Sequence, residues 1–364
     1  MTFALIYGGK FGSYLVADTL GTKRVAPRKI VRGQPDALTT GMALGSESTR
    51  VQYTEDVLKM CNFGTMAFAF AGDGAAAEDV IGVLGKHLGG RDAKDFTDAA
   101  LMKVQEDAYT AARSRYVSSL GLVANGRGYD RWNWKVHQGP PIITSDNDDL
   151  AIGSGAQSAL AMLEYARKVT PQNSEQISEC AFFCDRFLAS QIAGERHNTW
   201  DVGIGGVATA IHATDSGLYW APDRTTYVFA TNEDYSEPLR PLLIYKTAYI
   251  NGAVVSLSLT VETDDMALIV RTNSASMFDS DRDIPSLSLN SPVVSVCILR
   301  GSKVSSARIW QKTYRQPGPL WDDDIRIERF SNKRDFQVYM SYVTRPDFNE
   351  KMEHLINHEN VLAY

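Results

Sequence analysis

The sequence predicts an α+β fold in which two sheets lie between two helical layers, in the order αββα, followed by a β-rich C-terminal appendage. Three observations carry this expectation. Over residues 1–235, strand-like runs alternate with pairs of amphipathic helices, in the order strands, two helices, strands, two helices, strands. The links between strand runs are short, which favours antiparallel hairpins over parallel crossovers. Past about residue 235 helical periodicity fades, and β-type runs punctuated by Pro238, Pro241, Pro285, Pro292, Pro317 and Pro319 take over through residue 364.

Thr2 to Tyr7 and Ser13 to Ala17 flank Gly8-Gly9-Lys10-Phe11-Gly12 and read as a hairpin with a glycine-containing turn. Residues 19–54 are rich in Thr, Gly and Ser and read as loops or a small hairpin insertion. Gly64 to Phe70 is a continuous apolar run suited to a strand buried on both faces, closed by Ala71-Gly72-Asp73-Gly74. Val80, Ile81, Leu84 and Leu88 then share one helical face, and Phe96, Leu101, Val104, Ala108 and Ala111 mark a second helix running to about Arg115. Strand signals return at Val117 to Ala124 and end at Asp149-Leu150-Ala151-Ile152. A third helix fits Ala156 to Lys168, and a fourth starts near Ser174 on the stripe Ile177, Ala181, Cys184, Phe187, Leu188. Strands follow at Val207 to Ala213 and Gly217 to Trp220. In the appendage, β runs are expected at Ala253 to Val261, Met266 to Thr272, Val293 to Leu299, Ser306 to Thr313 and Asp335 to Val343, with a short helix near Asn349 to His358.

Composition narrows the function. The chain of 364 residues is 44% hydrophobic and 22% charged, with a net charge of −6 and a pI near 5.6. It has no basic footprint for a phosphate backbone, so nucleic acid is not an expected partner. No apolar stretch approaches a membrane span and no basic-then-apolar leader opens the chain, so a cytoplasmic protein without membrane association is expected. Cys61, Cys180, Cys184 and Cys297 lack metal-ligand spacing and read as reduced, buried thiols.

The residues that carry chemistry begin at position 2. Methionine is readily trimmed before small residues, and a liberated Thr2 would hold a hydroxyl nucleophile and an α-amine base on one residue. Thr2, Asp18, Thr22, the Ala71-Gly72 strand end, the stretch Asp148-Asp149-Leu150-Ala151-Ile152-Gly153-Ser154-Gly155 and Asp201-Val202-Gly203-Ile204-Gly205-Gly206 together resemble the proteasome β-subunit family. They also resemble its bacterial relative, the HslV peptidase; both are N-terminal-nucleophile hydrolases. The resemblance covers about residues 2–220. It puts Thr2 at the nucleophile, Asp18 at the active-site aspartate, Lys59 at the catalytic lysine and Gly72 at the oxyanion donor. Ser154 and Asp201 fall on supporting residues, Thr22 on the threonine whose backbone holds the substrate as an added strand, and Phe70 on a position lining the specificity pocket. Two departures stand out: Lys59 lies one residue closer to Gly72 than the family has it, and Ile204 replaces a serine.

The chemistry implied is coherent on physical grounds. An α-amine with a pKa of about 7.7 is partly free base near neutrality and can take the hydroxyl proton. A lysine ammonium beside it favours the neutral amine, and a buried aspartate orients and offsets that lysine. The resemblance implies a threonine peptidase acting on unfolded polypeptide. It further implies a homo-oligomeric ring, an ATP-dependent unfoldase as partner, and no cofactor or metal. The competing expectation is a catalytically silent subunit of the same fold, structural or assembly-related, including in a viral particle; amide hydrolysis on a small substrate is a third.

Other signals are weaker. Gly153-Ser154-Gly155 before a helix imitates a dinucleotide turn but lacks the third glycine. His354 with His358, and Asp322-Asp323-Asp324, have the residue types of metal ligands without a surrounding cluster.

Overall fold

The structure is a computed structural model. It describes residues 3–9, 12–19, 21–24, 44–46, 51–54, 57–91, 97–125, 128–144, 148–169, 179–192, 205–232, 240–250, 252–260, 265–271, 291–300, 308–313, 325–329 and 338–344. Thr2, Asp201, Ile204, Asp322 to Asp324, the expected helix at 349–358 and its histidines therefore lie outside the described residues.

The chain opens with β1 (Ala4–Gly9), β2 (Gly12–Asp18), β3 (Gly21–Arg24), β4 (Leu44–Ser46), β5 (Val51–Thr54), β6 (Met60–Asn62) and β7 (Met66–Gly72). Two helices follow, α1 (Gly74–Leu88) and α2 (Asp98–Ala112), then β8 (Val117–Ala124), β9 (Tyr129–Lys135), β10 (Ile142–Thr144) and β11 (Leu150–Ile152). A second helix pair, α3 (Ala156–Val169) and α4 (Glu179–Ile192), precedes β12 (Ala208–Thr214), β13 (Gly217–Trp220), β14 (Arg224–Thr231), β15 (Arg240–Ile250) and β16 (Ala253–Thr260). The described elements end with β17 (Asp265–Arg271), β18 (Val293–Arg300), β19 (Arg308–Thr313), β20 (Ile325–Arg329) and β21 (Val338–Thr344).

These strands form four sheets: β11-β1-β2-β12-β13, β10-β9-β8-β7-β6, a small β3-β5-β4 sheet and an eight-stranded β19-β18-β14-β15-β16-β17-β21-β20 sheet. The pairings are antiparallel except β14 with β18, which is parallel. The small β3-β5-β4 sheet falls within the 19–54 stretch, where loops or a small hairpin insertion are expected. The fold is thus a mixed α+β protein with several antiparallel sheets.

The period-two alternation of β1, β2 and β7 sorts their side chains between different cores. Phe68 and Phe70 pack with Val80, Ile81 and Leu84 of α1 and Val104 and Ala108 of α2. From the alternate positions, Ala67 and Ala69 meet Ala4, Ile6, Leu15 and Ala17 of the other five-stranded sheet. Phe3, Leu5 and Val16 pack with Leu163 of α3 and with Phe183, Cys184 and Phe187 of α4. Local chemistry sets the helix ends. Asp73 caps α1 by accepting the Ala76 N–H at 2.8 Å, and Lys86 and His87 occupy its last turn, each favourable to the helix dipole. α2 is capped by Thr97 and ends on Arg113 and Ser114, both left-handed at φ 49° and 61°.

β14 lies before residue 235 yet enters the eight-stranded sheet, and that sheet packs on α4. Leu188 and Ala189 meet Val228, Leu243, Tyr245, Cys297 and Leu299. The α4-facing side of the sheet becomes polar toward one end. Register places Ser295, Thr226, Tyr245 and Ser258 in one row across β18, β14, β15 and β16, with Arg224, Thr247 and Ser256 in the next; all seven are buried. Asp185 of α4 is fully buried against them. It accepts from Arg224 Nε at 3.2 Å and from Thr226 Oγ1 at 2.7 Å. Arg224 Nη1, Tyr245 OH, Thr247 Oγ1 and Ser295 Oγ are buried with no hydrogen-bond partner among the described residues. One such group left unpaired costs about 1–3 kcal/mol.

Candidate active site

Asp18 ends β2 with its side chain fully buried, a placement that is costly for a carboxylate unless it is hydrogen-bonded and paired. Three segments supply the partners. Phe3, opposite Asp18 in the β1–β2 ladder, donates its N–H to Oδ1 at 3.1 Å. Lys59, just before β6, donates from Nζ to the same oxygen at 2.7 Å. Gly205, ahead of β12, donates its N–H to Oδ2 at 3.2 Å. Bonds to an ionised acceptor are among the stronger ones in proteins, so one carboxylate holds together the start of β1, the approach to β6 and the approach to β12.

The Lys59 side chain is 9% exposed. Its main chain is fixed by the Phe70 N–H, which donates to the Lys59 carbonyl at 2.9 Å. Burial pushes the ammonium below the ordinary lysine value, and the charge and hydrogen bond of Asp18 pull it partly back. A lysine in this balance gives up its proton more readily than one in water while keeping a fixed position.

Gly72 closes β7 at φ +120°. A Cβ there would lie 2.3 Å from the Tyr116 carbonyl oxygen. The next residue, Asp73, donates its N–H to that same oxygen at 2.8 Å, so strand end and helix start are pinned to one atom of the chain entering β8. N–H groups alternate in direction along a strand. With the Phe70 N–H directed at Lys59, the N–H of Gly72 faces that side too. Gly72→Ala is expected to lower the urea midpoint by the equivalent of about 2–6 kcal/mol, from backbone strain and overpacking together. A midpoint equal to that of the parent chain would remove the case for a glycine requirement.

Comparison with known proteins finds similar solved structures, among them the two that follow. No family model matches the chain, and no curated protein matches it. The chain is similar to the Anbu (Gly-1) mutant from Hyphomicrobium sp. strain MC1, at 14% identity over 61% of this chain and 85% of that one, with a TM-score of 0.39. It is also similar to eukaryotic HslV from Trypanosoma brucei, at 16% identity over 57% of this chain and 97% of that one, with a TM-score of 0.35.

The other residues singled out from the sequence are placed as follows. Ser154 stands exposed in the turn between β11 and α3. Because Ala4 pairs with Ile152, that turn leaves the sheet at the end where Phe3 and Asp18 lie. Thr22 pairs with Tyr53, and β3 is an edge of its small sheet. Phe70 is 2% exposed and sits in the core under α1 and α2. The turn at Gly153 to Gly155 follows a strand paired antiparallel to β1, which is not the parallel βαβ setting of a dinucleotide site.

Thr19 has a part that sequence reasoning missed. Its buried hydroxyl accepts the Val207 N–H at 3.0 Å, and its carbonyl accepts the Val57 N–H at 3.3 Å. Asp18 and Thr19 therefore grip both segments that converge on the carboxylate. The only sequence signal was a threonine beside the aspartate.

The cysteines are poor candidates for chemistry. All four are buried and none forms a disulfide; burial raises Cys61 above the ordinary thiol value and pushes Cys184 and Cys297 up to about 12, which keeps those three as inert thiols. Among the described residues no group of three or more His, Cys, Asp or Glu side chains is placed to hold a metal ion, and no helix is long and apolar enough to cross a membrane.

Proposed function

We propose that this chain is a threonine-dependent, proteasome-like peptidase in which Thr2, once Met1 is removed, is both nucleophile and base. The observation that carries the reading is the convergence of the Phe3 N–H and the Lys59 ammonium on Asp18 Oδ1. Residue 2 is bonded directly to that Phe3 nitrogen, so the Asp18–Lys59 pair stands one peptide bond from the proposed nucleophile.

In this mechanism the Thr2 hydroxyl attacks a peptide carbonyl while its own α-amine takes the proton. Lys59 disfavours a second positive charge on that amine, and Asp18 fixes Lys59. The Gly72 N–H stabilises the oxyanion; loss of one such donor typically costs about 3–4 kcal/mol. The proton passes to the departing amine, leaving an acyl-threonine ester that water hydrolyses to restore Thr2. Ser154 and Asp201 support the amine, the edge strand β3 at Thr22 takes the polypeptide as an added strand, and Phe70 shortens the specificity pocket. The core clusters are consistent with an αββα sandwich over residues 1–235, with β14 lent to the sheet of a second unit at 236–364. A self-compartmentalising homo-oligomeric ring, an ATP-dependent unfoldase partner and a cytoplasmic setting complete the proposal.

The test pairs intact-mass analysis with peptide assays. The peptidase reading expects a species lacking Met1 that cleaves fluorogenic peptides, and a Thr2→Ala chain with activity reduced at least 100-fold. Ile204, at a position where the family has serine, favours the second reading of a silent structural or assembly subunit. Retained Met1 with no cleavage, or cleavage unchanged by Thr2→Ala, would count against Thr2 as the catalyst.

A further inference from the structure

The polar end of the interface between α4 and the eight-stranded sheet, remote in sequence from the proposed nucleophile, forms a site of its own. Arg224 is 1% exposed, and Tyr245, Thr247 and Ser295 are each 0% exposed. Arg224 Nη1 and the three hydroxyls lack a partner among the described residues. Register puts all four on one face, in two adjacent rows of β18, β14 and β15. Neighbouring strands lie about 4.8 Å apart, and alternate residues of one strand about 6.8 Å apart. Arg224 and Thr247 are therefore direct cross-strand neighbours, Tyr245 lies next to Thr247 along the same face of β15, and Ser295 lies diagonally from Arg224 on β18.

We propose that this patch is a buried hydration site, holding a cluster of ordered water molecules between α4 and the sheet. Charge selects a neutral occupant, because Arg224 is already balanced by Asp185, which accepts its Nε at 3.2 Å. An anion would leave a net negative charge in a buried place, and a cation would face the guanidinium. The donor pattern selects water among neutral occupants. Nη1 offers only donors, while each hydroxyl both gives and accepts, and a buried water needs two to four such partners. Apolar neighbours from α4 and the sheet, Leu188, Val228 and Leu243, bound the patch on the adjoining side. The site would make the joint between α4 and the sheet hydrated at one end and dry at the other.

Oxygen-17 magnetic relaxation dispersion on the full chain tests this, because it counts waters that stay bound longer than the protein takes to tumble. The parent chain is expected to hold such waters, and Ser295→Ala and Tyr245→Phe are each expected to lose at least one while retaining the parent circular dichroism. If Tyr245→Phe does not fold, Ser295→Ala decides alone, since it removes a single oxygen. An unchanged count in a folded variant would overturn the proposal. So would native mass spectrometry showing a bound molecule other than water that the same substitutions release.

Discussion

Asp18→Ala will destabilise the fold by about 3–5 kcal/mol, the cost of stranding one member of a buried ion pair. Lys59 would keep its 9% exposure with its carboxylate gone, and the N–H groups of Phe3 and Gly205 would lose the acceptor they share. The penalty depends on pH in a definite direction. Burial already holds Lys59 below its ordinary value, and both effects that raise it come from Asp18, so the substitution lowers it further. Between the folded and unfolded lysine values the unfolded chain binds more protons, and stability rises with pH across that window. In the variant the window extends to lower pH, and the variant recovers part of its loss as pH rises toward the ordinary lysine value. Asp18→Ala/Lys59→Met should recover much of it at neutral pH. Urea unfolding between neutral and alkaline pH checks this, and a pH-independent gap between parent and variant would show that Lys59 is not the group left stranded.

The second large effect is expected at Asp185 and Arg224. Arg224→Met alone leaves the Asp185 carboxylate buried with the Thr226 hydroxyl and should cost about 3–5 kcal/mol; Asp185→Leu alone leaves the guanidinium and should cost as much. Asp185→Leu/Arg224→Met should cost far less than the two added together, because removing both partners strands no buried charge. The quantity to measure is the coupling in a double-mutant cycle by urea unfolding. Additivity within about 0.5 kcal/mol would mean the pair is energetically unimportant to the joint.

What the sequence disclosed followed the range of the contacts involved. The β7 run ending at Gly72, the helix begun by Asp73 and the Val117–Ala124 strand are set by local periodicity and turn chemistry, and they lie where the pattern put them. The 2.7 Å approach of Lys59 to Asp18 was legible only through spacing shared with a known family. The Gly205 bond to Asp18, spanning 187 positions, and the Thr19 bond to Val207 have no local signature. β14 and β15 were also missed. Arg224-Thr225-Thr226 looks polar and Pro241 looks like a break, yet Arg224, Thr225, Thr226 and Lys246 are all buried. A hydropathy pattern assumes that buried means apolar, and this sheet buries its polar residues in rows.

Residues 180–191 of α4 are buried without exception, including Asp185, Arg186, Ser190 and Gln191. A helix enclosed on every side belongs equally to the two bodies that enclose it. Neither can be peeled away without wetting the other, so cutting the chain at residue 235 would leave α4 half bare and β14 without either neighbour. The eight-stranded sheet is therefore a fixed wall of the protein, and the α4 surface it covers has no face left to offer a neighbouring subunit.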